Sequence, residues 1–184
     1  LADLHSVTNA RYGLERDTLI GPLTQPNAWS ASWSAFYAEH RLMHFGRLAM
    51  QRSGLGTLGM AAIEAVCARI DELVGEAAPP SLIHGDAWGG NVLGDGDRVA
   101  AFIDPALHYA DAEVELAFTT LFGTFCEAFY KRYDELRPIR AGFFEQRRDL
   151  YLLYPLLVHA VLFDGPSGGS YGHRAVTIAN RLST

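Results

Sequence analysis

Lysine is nearly missing from this chain: Lys131 is the only one in 184 residues. Acidic side chains outnumber basic ones 21 to 15, giving a net charge of −6 and a pI near 5.6. That balance does not suit a nucleic-acid surface or an anionic membrane. Cysteine is scarce as well. Cys67 and Cys126 lie far apart, each inside an apolar helical pattern, which excludes a disulfide framework. They read as two buried thiols, and a reducing cytoplasm fits. No apolar run reaches the roughly 18 residues of a membrane span, and no basic-then-apolar signal segment opens the chain. Repeats, low-complexity tracts and linkers are absent too, so 1–184 reads as a single domain. With 49% hydrophobic and 20% charged residues it can bury a proper core.

What is there is mostly helical periodicity. Residues 1–26 read as a helix end and an irregular connection, punctuated by Tyr12-Gly13 and Ile20-Gly21-Pro22. From Asn27, a good N-cap, Trp29, Trp33, Phe36, Tyr37 and His40 recur at helical steps, predicting a helix to about Met50. A second helix starts at Thr57, carries Leu58, Ala62, Ala65, Val66, Arg69, Ile70 and Leu73 on one face, and stops at Gly75. Beyond Asp104-Pro105 the pattern is helical to the end: Asp111 to Gly123, Phe125 to Pro138, Phe143 to Phe163, and Tyr171 to Leu182. Pro155 falls inside the longest of these and should kink it. Gly165 to Gly169 reads as a loop.

The exception is residues 81–106. Short apolar runs, Leu82-Ile83, Val92-Leu93 and Val99 to Ile103, read as buried strands, and Asp95-Gly96 between the last two is a hairpin turn. Asp95 and Asp97 could be metal ligands, but turn chemistry accounts for both. The expected fold is therefore mainly α with a small β-hairpin insert, an α+β class. Three polar groups sit at the ends of these runs: Asp86, Asn91 and Asp104. The order His84-Gly85-Asp86, Asn91 five residues after Asp86, then a strand closing on Asp104, is that of a kinase catalytic loop followed by its metal-binding aspartate. In that reading Asp86 orients an acceptor hydroxyl and takes its proton. Asn91 and Asp104 offer the hard oxygens that Mg²⁺ prefers. Pro105 biases Asp104 toward an extended backbone, which would aim its carboxylate off the strand end. His84 reads as a loop brace, not as a ligand or proton carrier. No strand carries a phosphate-pairing lysine behind a glycine loop, so the nucleotide-covering lobe of such a kinase is expected outside these residues.

The residues that carry a family likeness run through nearly the whole chain. They are Tyr12-Gly13-Leu14, Ile20-Gly21, Gln25-Pro26-Asn27, Trp33, Phe36-Tyr37 and Arg41-Leu42. They continue with His84 to Asn91 including Trp88, Phe102-Ile103-Asp104-Pro105-Ala106, and Glu113 to Gly123. This set resembles the fructosamine/ketosamine-3-kinase family, within the wider group of aminoglycoside phosphotransferases and protein-kinase-like enzymes. The resemblance implies a protein-kinase-like C-terminal lobe. It also implies ATP and Mg²⁺, and phosphorylation of the 3-hydroxyl of a ketosamine, free or protein-bound, leading to deglycation. Alternatives are a related kinase acting on an aminoglycoside or choline, and a kinase-derived lobe that binds without chemistry.

Within the resemblance, Trp88 stands where protein kinases commonly carry a lysine. A flat indole beside the base suits the C–H face of a sugar, unless it only packs the loop. Gln25 and Asn27 are candidate sugar hydrogen-bonders, with helix capping an equal role for Asn27. Glu115 either anchors the backbone of the catalytic loop or is a solvated helix carboxylate. His159 reads as a core histidine, although in relatives its helix borders the acceptor pocket. Pro155 and the segment 164–171 depart from the family pattern.

Overall fold

The computed structural model describes residues 1–52, 54–96, 98–163 and 170–184. The expected loop at 165–169 and the expected turn residue Asp97 lie outside them. The described residues are mainly helical, with three small antiparallel sheets of two strands each.

Its N-terminal part holds α1 (Ala2–His5) and a hairpin of β1 (Thr18–Ile20) and β2 (Leu23–Gln25), in register Thr18↔Gln25. The sequence reads as irregular here because strands of three residues are too short to show alternation. α2 (Trp33–Tyr37) follows, capped by Ser32, whose hydroxyl accepts the Ala35 N–H at 3.2 Å. The helix therefore begins later than Asn27, and Asn27 is not its cap. It runs through a π-helical turn at Ala38–Met43 into α3 (His44–Gln51).

α4 (Thr57–Ala68) and α5 (Ile70–Val74) are offset at Arg69, and Gly75, at φ +64°, ends them. The buried face is Met60, Ala62, Ile63 and Val66, while Leu58 is 85% exposed, so the expected stripe is turned by about one residue. The string Gly54-Leu55-Gly56-Thr57-Leu58-Gly59 has the spelling of a phosphate loop but runs from the α3–α4 connection into the first turn of α4, with no strand before it. A Cβ on Gly54 would lie 2.6 Å from the Ala160 carbonyl, and one on Gly59 2.7 Å from Val176, so these glycines serve packing.

β3 (Ser81–Ile83) pairs with β6 (His108–Ala110), a strand where helix is expected after Asp104. β4 (Val92–Asp95) and β5 (Arg98–Phe102) form the expected hairpin, with a register shift at Leu93/Gly94. Its strands are not buried: Leu93 and Val99 are about half exposed.

α6 (Glu113–Leu121), α7 (Glu127–Leu136), a π-helical turn at Phe143–Arg147, α8 (Arg148–Phe163) and α9 (Ser170–Leu182) complete the chain. α8 is apolar nearly all round and buried accordingly, packed by α3, α6 and α9. Pro155 removes the N–H that the Tyr151 carbonyl would accept. Tyr37, reaching in from α2, donates its hydroxyl to that carbonyl at 3.0 Å instead. α6 is clamped from outside by Arg140 and Arg147 on Asp111 and Glu113. Cys126 is exposed and Cys67 half-buried, so the thiols are less buried than their apolar surroundings suggest. Among the described residues no helix is long and apolar enough to cross a membrane.

Candidate active site

β3 ends in His84-Gly85-Asp86, and the chain must turn there against Ala106. Gly85 sits at φ +84°, and a Cβ on it would lie 2.3 Å from the Ala106 carbonyl oxygen. Only glycine meets both demands. The turn's backbone is held from below by Glu115 of α6, which accepts the N–H groups of His84 (3.1 Å) and Gly85 (2.6 Å). Glu115 is 1% exposed and also contacts His5 Nε2 at 2.8 Å. Burial pushes its carboxyl up, but these hydrogen bonds and His5 outweigh it and hold the group below its ordinary range. It is no solvated helix carboxylate. His84 accepts the Asp86 N–H on Nδ1 at 3.3 Å and lays its ring beside Phe102.

Asp86 is half-buried. Its Oδ2 accepts the Asn91 amide at 2.7 Å, and the same NH₂ group reaches the Asp86 carbonyl at 3.0 Å. Its carboxyl is pushed up to about 7, first by burial. The Asn91 hydrogen bond pulls the other way, and the Glu115 and Asp104 carboxylates add to the rise. Asn91 ends a short 3₁₀ turn, Gly89–Asn91, and its carbonyl accepts the Ile103 N–H at 3.0 Å, tying the loop to the residue before Asp104. With its NH₂ held by Asp86, its Oδ1 makes no hydrogen bond among the described residues.

Asp104 is exposed and has no ion-pair partner among the described residues. Its backbone is not extended: φ is +54°. Pro105 disfavours the right-handed helical region for Asp104, and aspartate tolerates the left-handed one better than most residues. The Ala106 N–H, bonded to the His84 carbonyl at 2.8 Å, pins the turn that follows. No group of three or more His, Cys, Asp or Glu able to hold a metal occurs among the described residues. One carboxylate plus one amide oxygen, both unengaged, suits a Mg²⁺ that keeps waters and phosphate oxygens as its other ligands.

Asp86, Trp88, Asn91 and Asp104 all line one cleft of about 480 Å³. Trp88 stands at its rim, 40% exposed, against Phe122 at 5.7 Å. A Cβ on Gly90 would lie 2.4 Å from that indole. The lining also includes Leu19 and Ile20 of the first hairpin, and Tyr154, Pro155 and His159 of α8. Sequence patterning hides these positions, because Tyr154 and His159 sit among leucines in a helix that reads as core. His159 is half-buried, with Nδ1 2.7 Å from the Pro155 carbonyl, and so is a wall residue instead of a core one.

Gln25 and Asn27 are not placed to hydrogen-bond a sugar in the cleft. Both are fully buried under the cleft and do not line it. Gln25 donates to Thr18 Oγ1 (2.8 Å) and the Ala106 carbonyl (3.1 Å), and accepts from the Tyr154 hydroxyl. Asn27 donates to Thr18 Oγ1 and accepts from Arg41 at 2.7 Å. Arg41 itself is buried with no carboxylate in ion-pair reach among the described residues, over the rings of Phe36 and Tyr154, and burial pulls its guanidinium down to about 10. These groups hold the cleft's floor, joining the hairpin, the Asp104–Ala106 turn and α8.

The sequence pattern that defines the fructosamine kinase family matches residues 1–183. The chain belongs to the fructosamine kinase family. A probable ketoamine kinase of Synechocystis is 42% identical over 179 residues, covering 95% of this chain and 57% of that protein. The chloroplastic protein-ribulosamine 3-kinase of Arabidopsis thaliana is 36% identical over 183 residues, covering 97% and 53%. A Thermobifida fusca crystal structure, of a candidate fructosamine-3-kinase, superposes with a TM-score of 0.90 at 36% identity, over 99% of this chain and 61% of that one. The chain thus spans little more than half the length of these relatives.

Proposed function

We propose that this chain is the catalytic, acceptor-binding lobe of an ATP- and Mg²⁺-dependent kinase that phosphorylates a sugar hydroxyl of a ketosamine. The observation that carries the reading is the meeting of Asp86, Asn91 and Asp104 in one cleft with an exposed indole at its rim. Asp86 orients the acceptor hydroxyl and takes its proton as the new O–P bond forms and the bond to the ADP leaving group breaks. A carboxyl pushed up to about 7 is poised for that work near neutral pH. Asn91 Oδ1 and the Asp104 carboxylate would hold Mg²⁺, which when bound neutralises charge on the phosphates. Trp88 offers the sugar a flat apolar face. Glu115 and His84 position the loop's backbone. The relatives' extra length leaves room for a nucleotide-covering lobe with a glycine loop and lysine.

The relatives named for ketoamines and ribulosamines favour a ketosamine over an aminoglycoside or choline. Mass spectrometry of fructosyl-lysine and ribulosyl-lysine, after incubation with the intact protein, ATP and Mg²⁺, tests this. A mass gain of one phosphoryl group is expected. Transfer only to an aminoglycoside would remove the ketosamine assignment, and no transfer to any acceptor would favour a non-catalytic lobe.

A further inference from the structure

Three successive backbone N–H groups at the turn into Asp86 each have a side-chain acceptor. Glu115 takes those of His84 and Gly85, at 3.1 and 2.6 Å, and His84 Nδ1 takes that of Asp86 at 3.3 Å. The direction of the Asp86 carboxyl therefore depends on where Glu115 stands. A glutamate side chain has several rotatable bonds, so its carboxylate needs a hold of its own.

That hold comes from α1, 110 residues away in sequence. His5 is fully buried, and its Nε2 lies 2.8 Å from Glu115 Oε2, the same oxygen that accepts the His84 N–H. One oxygen atom thus joins the imidazole to the loop. A carboxylate only accepts, so Nε2 carries a proton here. The other ring nitrogen is 2.6 Å from the Tyr133 hydroxyl, and the tyrosine ring meets the imidazole edge-on at 5.6 Å. Arg137, just past α7, donates to the His5 carbonyl at 3.0 Å and to Ser81 Oγ at 2.8 Å, fastening α1 to β3. His5 is fixed at both ring nitrogens and at its backbone. Burial pushes the Glu115 carboxyl up, and among the groups that bring it below its ordinary range His5 stands first. Without that partner the carboxyl would be drawn toward its protonated form, which accepts fewer hydrogen bonds from the loop.

Resting on the reading of Asp86 as the base, we propose that His5 is a positioning residue for phosphoryl transfer. Through the shared Glu115 oxygen it fixes the backbone at His84 and Gly85, and so the aim of the Asp86 carboxyl at the acceptor hydroxyl. His5 does not line the cleft, so its effect falls on turnover and not on acceptor binding.

Steady-state kinetics of the intact protein, on fructosyl-lysine or whichever acceptor it phosphorylates, test this together with amide hydrogen exchange. His5→Leu cannot donate to Glu115. Its kcat should fall at least about tenfold while KM changes less than about twofold, because a small misplacement of a reacting group is costly. His5→Gln keeps a donor for Glu115 and an oxygen for Tyr133, and should return kcat to within about threefold of the parent. Tyr133→Phe removes only the hydroxyl at Nδ1 and should lower kcat by about two- to fivefold. Ile63→Val, in the buried core, also costs stability but should leave kcat unchanged. In His5→Leu the His84 and Gly85 amides should exchange at least about tenfold faster, beyond any change in the α8 amides. Parent-like kcat in His5→Leu, or equal losses in His5→Leu and His5→Gln, would make His5 structural only. Parent-like exchange at His84 and Gly85 would overturn the proposal as well. Should His5→Leu fail to fold, unchanged kcat in Tyr133→Phe would overturn it. If the parent phosphorylates no acceptor, the reading of Asp86 as base falls, and the exchange rates alone decide whether His5 sets the loop.

Discussion

Tyr37 aims its hydroxyl between the backbone carbonyls of Leu150 (3.1 Å) and Tyr151 (3.0 Å), the second being the group whose helical N–H partner Pro155 removes. A side chain from α2 thus repairs α8 one turn from the residues that face the cleft. Tyr37→Phe leaves a buried carbonyl unsatisfied and should cost about 1–3 kcal/mol in urea unfolding. Pro155→Ala restores an N–H to the same carbonyl, so in that background Tyr37→Phe should cost less by about 1 kcal/mol. A double-mutant cycle with no coupling would show that the hydroxyl does not compensate for the proline.

His108 supplies a pH prediction. It is fully buried on β6, with Nδ1 donating to the Ala106 carbonyl at 3.0 Å. Burial lowers its pKa well below the ordinary value and the nearby Arg41 charge adds to this, while the Ala106 hydrogen bond opposes it. Below about pH 6.5 the unfolded chain therefore takes up a proton that the folded one refuses. The stability His108 contributes is complete above that pH and lost as pH falls, by up to about 1.4 kcal/mol per pH unit. His40 and His44 are also lowered by burial, so the comparison must be differential. Urea midpoints between pH 7.5 and 5 should fall less steeply in His108→Gln than in the parent. Parallel curves would place the acid sensitivity elsewhere.

How much of this was legible in the sequence depends on how local the cause is. Helices α6 to α9 could be read from periodicity, and the β4–β5 hairpin from Asp95-Gly96, because each signal lies within the element. Strand β6 and the first hairpin could not, since strands of three residues are defined by partners across the fold. The same contrast holds in the site. Asp86 and Asn91 share one loop and are joined side chain to side chain. Gln25, by contrast, is claimed by Ala106 and Tyr154, 81 and 129 residues away. A polar residue next to a motif looks like a ligand contact until the distant groups that bury it are known. Asp104 shows the same effect in the backbone: Pro105 rules out one region, and the packing of Ala106 on His84 and Gly85 selects a left-handed turn.

Gly85 should be the least replaceable residue of the loop. Gly85→Ala combines a positive φ with a Cβ placed 2.3 Å from a backbone carbonyl that is itself held by Gln25. The loop, the Asp104 turn or both must move, and a loss of at least about 2 kcal/mol is expected, with turnover reduced further by misplacement of Asp86. Gly89→Ala is the comparison, because nothing lies within 4 Å of its Cβ position. Its unfolding free energy in urea should stay within about 0.5 kcal/mol of the parent. Equal costs for the two would mean that the Gly85 turn relaxes without strain.

Asp86→Asn separates chemistry from folding. The amide keeps the shape of the carboxyl, and its oxygen can still accept from the Asn91 NH₂, so the loop keeps its internal bond. It also relieves the burial of a carboxylate, so the thermal midpoint should not fall. In the proposed mechanism what disappears is the acceptor for the hydroxyl proton, and kcat should drop by about 10²–10⁴-fold. If the acceptor binds as proposed, its KM should change far less, because contact with Trp88 does not depend on that proton. Near-normal turnover with intact folding would dismiss Asp86 as the base. A fall in turnover together with a lower melting point would make its role structural.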